Sequence, residues 1–164
     1  MDEAKHNVPR YSDRPFPAYR FVPGKTPHPT RDPHGHSYGV TEVQLGSFDP
    51  DDWPACSRYL YGIDLFNYDY WWEAHEAWEA VWRAAGRQST TGLFIQGLIQ
   101  ISVARLKLHQ GFRAPAQRLA GEGLAKIPRL DGAYLGINVA EFRLEVERQF
   151  FREPPSSLFI RLEF

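Results

Sequence analysis

Eight of the thirteen prolines of this chain stand in its first fifty residues, at positions 9, 15, 17, 23, 27, 29, 33 and 50. Proline fixes φ and brings no amide hydrogen, so this segment cannot hold a long helix. It is not simply disordered either. Phe16, Tyr19, Phe21, Val22, Tyr38 and Val40 give it more aromatic and branched side chains than an unfolded tail carries. An extended arm laid over the rest of the chain is expected for residues 1–50. Residues 51–153 should form a helical bundle, and residues 154–164 a short C-terminal tail. The expected fold class is all-α: a compact bundle of about five helices with a Pro-rich extended N-terminal arm. At 164 residues the chain is large enough for one real core.

Local signals place the five helices. Asp51 or Asp52 caps the first, with Pro54 near its first turn, and it continues through Cys56, Tyr59, Leu60 and Ile63. Asn67 or Asp69 caps the second, which ends near Gly86. Thr90 or Thr91 caps the third, which runs to Gly111. Its Gly97 and Ala104 permit close approach of another helix. The fourth starts at Ala114-Pro115 and Pro128 ends it; Ala116, Leu119, Ala120, Gly123, Leu124 and Ile127 form its apolar seam. Asn138 caps the fifth, whose stripe is Val139, Phe142, Val146 and Phe150, and Pro154-Pro155 stops it. No strand pattern competes. Ser157 to Leu162 is short and apolar, suited to packing back on the bundle or on a second copy of the chain, so a homodimer is one expectation.

The second helix holds four of the five tryptophans in Tyr70-Trp71-Trp72-Glu73-Ala74-His75-Glu76-Ala77-Trp78-Glu79-Ala80-Val81-Trp82-Arg83. At 100° per residue, Trp71, Trp78, Glu79 and Trp82 fall on the same side as His75. Ala74, Ala77, Val81, Ala84 and Ala85 make a face suited to close helix contact. Trp72, Glu76 and Arg83 make a third face, with Glu73 beyond it. A carboxylate among apolar neighbours costs several kcal/mol unless it is paired, protonated or on a metal. Arg83, four residues after Glu79, is the cheapest partner.

Two readings follow for this helix. In the functional one, His75 and Glu79 at i, i+4 are metal ligands or an acid/base pair, with Glu76 as a second carboxylate. The zincin motif is absent, because Glu79 stands where a second His would be needed. In the structural alternative a buried His–Glu–Arg network fixes helix register and the tryptophans are packing mass. Two further features bear on the choice. Three of the six histidines, His28, His34 and His36, fall in nine residues of the arm. Folded onto the second helix, His34 and His36 would complete a divalent metal shell, zinc for example, around His75 and Glu79. Otherwise they hydrogen-bond their own loop. The third helix carries a narrow polar stripe, Gln96 and Gln100, which either is a solvated edge or faces the second helix and bonds His75, Glu76 or Glu79.

Composition narrows the partners. The net charge is -1, so no nucleic-acid footprint is visible. One cysteine, Cys56, leaves no intrachain disulfide and no cysteine metal cage. No apolar run reaches about 18 residues and no signal-peptide core is present. These features lead to the expectation of a soluble cytoplasmic protein without nucleic-acid or membrane partners. No phosphate loop occurs, and His36-Ser37-Tyr38-Gly39 lacks the strand–turn–helix setting of a nucleophile elbow.

The order of the pieces resembles a family known as domain of unknown function 309. The residues that carry the resemblance are Phe66-Asn67, Tyr70 to Glu76, Trp78, Glu79 and Trp82, then Gly92-Leu93 and Gln96-Gly97-Leu98-Ile99-Gln100. It covers about residues 55 to 130. Thr26-Pro27-His28-Pro29 and Gly35-His36-Ser37-Tyr38-Gly39 look like a subgroup of that family. The resemblance implies a small all-helical bundle and no particular activity.

Three functions fit these residues. The first is a metal-assisted hydrolase acting on a small molecule, with His75, Glu76 and Glu79 as its catalytic groups. The second is a binding module in which Trp71, Trp78 and Trp82 line an apolar pocket and His75, Glu79 and Gln100 fix the orientation of a small-molecule ligand, with Gln96 as a further ligand-binding residue. The third is a structural or homo-oligomeric module with a buried polar network.

Overall fold

The computed structural model describes residues 8–152 and 157–164. Among them, five α-helices follow in order: α1 (Ser57–Asn67), α2 (Trp71–Ala85), α3 (Thr90–His109), α4 (Arg113–Lys126) and α5 (Val139–Phe151). A 3-10 helix, Pro50–Ala55, precedes α1. The Pro154-Pro155 stop lies outside the described residues. No helix among the described residues is long and apolar enough to cross a membrane.

α3 is the central element, packed against α2 on one side and α4 on the other. Its small residues explain how. A Cβ added to Gly97 would lie 2.9 Å from the carbonyl oxygen of Gly123, and one added to Gly123 would lie 2.9 Å from that of Gly97. The two backbones therefore touch at this crossing. Ala104, Ala116 and Ala120 are fully buried around it. On the other side Ser102 donates to the Trp71 carbonyl at 2.7 Å and ties α3 to the first turn of α2. α5 lays Val139, Phe142, Val146 and Phe150 into the core, the stripe its periodicity predicts. Its cap is also as expected: Asn138 Oδ1 accepts from the Glu141 amide at 3.2 Å.

Three other caps differ. Neither Asp51 nor Asp52 caps α1. Asp49 accepts from the Asp51 amide and starts the 3-10 helix, which holds Pro54 and ends before Cys56. α2 begins after Tyr70 without a side-chain cap. Asn67 instead exchanges two 2.8 Å bonds with the backbone of Ile160. Asp69 turns the chain at φ 70° and sends its carboxylate to Arg20 at 3.3 Å and Arg105 at 3.7 Å. Ser89, not Thr90 or Thr91, caps α3: its hydroxyl accepts from the Gly92 amide at 2.9 Å. Thr91 is buried and its hydroxyl pairs with the Tyr134 hydroxyl at 2.7 Å.

A two-strand hairpin, β1 (Ala133–Tyr134) and β2 (Ile137–Asn138), sits in the α4–α5 connection where no strand is expected from the sequence. Two residues per strand are too few to show an alternating pattern. Ile137 also bridges Leu162, so the tail folds back on its own bundle, with Leu158 and Ile160 buried. Arg105 holds it there by donating to the Leu158 carbonyl at 2.7 Å.

The described part of the arm lies along α1 and α2, held by two buried carboxylates. Asp64, fully buried in α1, receives Arg10 Nε at 3.0 Å, the Tyr11 and Ser12 amides at 2.8 and 2.9 Å, and the Ser12 hydroxyl at 2.7 Å. Glu73 of α2 is the second. Between them Phe16 stacks on Tyr70, and Phe21 and Val22 are buried. Tyr38 and Val40 do not join the core as the composition led one to expect; both are more than half exposed. They lie between His36, anchored on Glu73, and Glu42, paired with Arg58 and Arg83.

Candidate functional site

The 15 residues of α2 are shared between three environments. Ala74, Trp78 and Val81 have no exposed surface and form the face against the bundle. Glu73 and Ala80 are buried on another side, Glu73 beneath the arm. Between these faces runs an accessible stripe of Trp72, His75, Glu76, Glu79 and Arg83.

His75, Glu76 and Glu79 come together on that stripe. One donor atom from each lies within 4.8 Å of the others. The i, i+4 spacing sets Glu79 Oε1 3.3 Å from His75 Nε2. His75 Nδ1 lies 3.2 Å from the Trp72 carbonyl and 3.4 Å from Glu76 Oε1. With its hydrogen on Nδ1, the ring donates to that carbonyl and turns the Nε2 lone pair towards Glu79. A lone pair and a carboxylate oxygen at this range repel each other unless a proton or a cation stands between them. Arg83 Nη1 reaches the other Glu79 oxygen at 3.7 Å, and Arg83 Nη2 reaches Glu42 at 3.4 Å. Burial pushes the Glu76 carboxyl above its ordinary range; His75 opposes this, and the like charges of Glu79 and Glu42 add to it.

The tryptophans are distributed otherwise than the helical projection implies. Trp78 is fully buried and donates to the Tyr59 carbonyl at 3.3 Å. Trp71 is buried beside Arg105, whose guanidinium carbon is 5.0 Å from its ring centre. Trp82 donates to the Arg87 carbonyl at 3.3 Å and stacks under the Arg87 guanidinium. None of the three packs on His75. Trp72 does, with ring centres 4.9 Å apart. The bundle takes Trp71 and Trp78 as core mass, so the partly exposed Trp72 is the aromatic left at the stripe.

Gln100 does not reach α2. It donates to Glu122 at 3.3 Å and accepts from Lys126 Nζ at 2.9 Å, both on α4. The Gly97–Gly123 contact places this edge of α3 on α4, and Gln96, half-buried on the same edge, has no bond to α2 either. The stripe is half-buried against α4, neither the solvated edge nor the face towards α2 that the sequence offered.

The arm histidines part company. His34 is exposed and pairs with Asp32 of its own loop at 3.3 Å. His28 Nδ1 accepts from the Thr30 and Arg31 amides at 3.3 Å. His36 does reach α2, but it meets Glu73 and not His75 or Glu79. Its Nε2 is 2.9 Å from Glu73 Oε1, with both side chains more than nine-tenths buried. The loop that delivers it is tied by the Ser37 amide to the Pro29 carbonyl at 3.0 Å. Gly35 is required there, since a Cβ would run into the carbonyls of His28 and Pro29.

Glu73 is the residue that sequence reasoning passed over. Oε1 accepts from the Phe21 amide at 2.8 Å as well as facing His36. Oε2 is buried without a hydrogen-bond partner among the described residues. Glu73 also lines a cleft of about 410 Å³ between the arm and α2, together with Trp72, Glu76, Tyr61, Arg14 and Arg58. A Pro/His-rich arm facing a helix with an extra acid was the only signal for it. Trp72 and Glu76 thus belong both to the cleft wall and to the stripe around His75.

No curated protein matches the chain. Its residues 59–119, from α1 into α4, match a protein family described as a domain of unknown function. That span contains α2 and α3 entire and excludes the arm that supplies His36. The matched family is DUF309, to which residues 59–119 of this chain are similar.

Proposed function

We propose that the accessible stripe of α2 is a divalent-cation centre with His75, Glu76 and Glu79 as its protein ligands. The observation that carries this reading is the convergence of one imidazole nitrogen and two carboxylate oxygens within 4.8 Å. Donors about 2.1 Å from a tetrahedral ion stand roughly 3.4 Å apart. The 3.3 Å between His75 Nε2 and Glu79 Oε1 is that span. Glu76, with its side chain 47 % exposed, is free to swing in as the third donor. The Nδ1 contact with a backbone carbonyl is the kind of outer support that orients a ligating histidine. Three protein donors leave positions open to water or substrate, the arrangement of catalytic rather than structural zinc sites. Such a centre activates bound water or polarises a carbonyl or phosphoryl oxygen, which makes metal-assisted hydrolysis of a small molecule the matching activity.

The Arg83 contacts to Glu79 and Glu42 favour a second reading, an ion-pair chain that holds the arm to α2 at Glu42 without any cation. Calorimetric titration of chelator-stripped, untagged protein with zinc and manganese separates the two. The cation reading expects one site per chain, weakened at least about tenfold in His75→Ala and Glu79→Ala and unchanged in His34→Ala. Absence of a saturable site, or one insensitive to both α2 variants, sinks the cation reading and leaves the ion-pair chain.

A further inference from the structure

The cleft between the arm and α2 carries an inference of its own. Its floor on α2 is acidic: Glu73 and Glu76, three residues apart on one helix, both line it. Glu73 is 94 % buried by complement of its 6 % exposure, and one of its oxygens has no partner among the described residues. A buried acceptor left unmade is destabilising, more so when charged, so a site that keeps one wants a donor. The cations that line the cleft are already engaged. Arg58 is on Glu42 at 3.0 Å, and Arg14 lies 4.6 Å over the Tyr61 ring. An anionic guest would therefore meet the carboxylates of Glu42, Glu73 and Glu76, against Arg58, which is paired with Glu42, and Arg14, which lies over the Tyr61 ring. A cationic guest meets the unfilled oxygen and the half-exposed Glu76.

The remaining wall favours an organic body over a bare ion. Trp72 and Tyr61 offer aromatic surface, and Val40 and Val43 offer aliphatic surface. Those valines are 68 % and 75 % exposed, on a strap whose residues 41–48 form no backbone–backbone hydrogen bond among the described residues. A guest in the cleft would cover them, and Glu42 already holds the strap above α2 through Arg58 and Arg83. The volume of about 410 Å³ is within the range of small-molecule sites. We infer that this cleft binds a small organic molecule bearing a primary ammonium group. The ammonium donates to Glu73 and Glu76, and the carbon skeleton packs on Trp72 and Tyr61. This site is separate from the cation centre except that Glu76 lines both and Trp72, in the cleft wall, packs on His75.

Amide chemical-shift mapping of the full chain with phenethylamine tests the assignment, with 2-phenylethanol and phenylacetate as neutral and anionic counterparts. Saturable shifts are expected at residues 40–43, 61 and 72–77 for the amine, at least about tenfold weaker for the alcohol and absent for the acid. Glu73→Gln should weaken the amine at least about tenfold, while Glu79→Ala, which disables the cation centre, should leave it unchanged. Ala77→Leu, which narrows the cleft without touching the arm's anchors, should also weaken it and serves if Glu73→Gln does not fold. Equal binding of amine and acid overturns the inference, as does undiminished binding in Glu73→Gln or Ala77→Leu. Loss of amine binding in Glu79→Ala moves the amine to the cation centre and overturns it too.

Discussion

His36 Nε2 and Glu73 Oε1 lie 2.9 Å apart although 37 positions separate the residues, and the same oxygen accepts the Phe21 amide. The arm is thus latched to α2 by one carboxylate oxygen at two points, a loop histidine and a backbone amide. His36→Ala removes one of them and leaves a buried carboxylate less satisfied. The expected cost is about 1–3 kcal/mol in chemical denaturation. Amide exchange should quicken at residues 20–38 and stay unchanged in α3 and α4. Unaltered exchange in the arm would show that the latch contributes nothing.

The α3–α4 crossing predicts the opposite of helix propensity. Alanine in a helix is favoured over glycine by about 1 kcal/mol. At Gly97 or Gly123 the added methyl would sit 2.9 Å from the facing carbonyl oxygen, inside normal contact. Gly97→Ala and Gly123→Ala should each destabilise by about 1–3 kcal/mol. Gly121, on α4 with no atom near its missing Cβ, is the control: Gly121→Ala should stabilise by up to about 1 kcal/mol. A thermal midpoint that rises in all three variants would refute the close crossing.

Glu145 on α5 supplies a pH test away from the site. Burial raises its carboxyl above the usual range, and the like charge of Glu141 adds to this against Arg148 and Arg161. A raised carboxyl means that the folded state holds its proton at a pH where the unfolded state has released it. Stability from this group therefore falls as pH climbs from the ordinary carboxylate value, 4.5, through the raised one, and stays lower above it. Glu145→Gln should be more stable than the parent at pH 7, with the difference closing below pH about 4. Denaturation midpoints of both proteins across pH 3–8 check it, and a difference that grows on acidification contradicts the assignment.

Much of the site was legible in α2 alone. The meeting of His75, Glu76 and Glu79 depends on spacing along one helix, which the sequence states outright. The partners across elements were not legible. Helical projection placed Trp71 and Trp78 beside His75, yet the bundle buries both and leaves Trp72 at the stripe. Gln100 turned to Glu122 and Lys126 because two glycines let α4 lie against that edge of α3. Asn67 and Asp69, good caps by residue type, were drawn off to the C-terminal tail and to arginines.

By itself, the sequence determined what is local: which stretches are helical, where prolines forbid helix, and which face of each helix is apolar. Those properties rest on neighbours one to four positions away. Only the tertiary structure decided which carboxylate the arm histidine meets. The path of the arm is set by its anchors on Asp64 and by Phe21 and Val22 entering the core, contacts some fifty residues apart in the chain. With those anchors in place His36 is carried to Glu73 and held away from His75, and a cleft is left between strap and helix. The rotation of one element over another follows from the summed packing of both, and no local pattern encodes it.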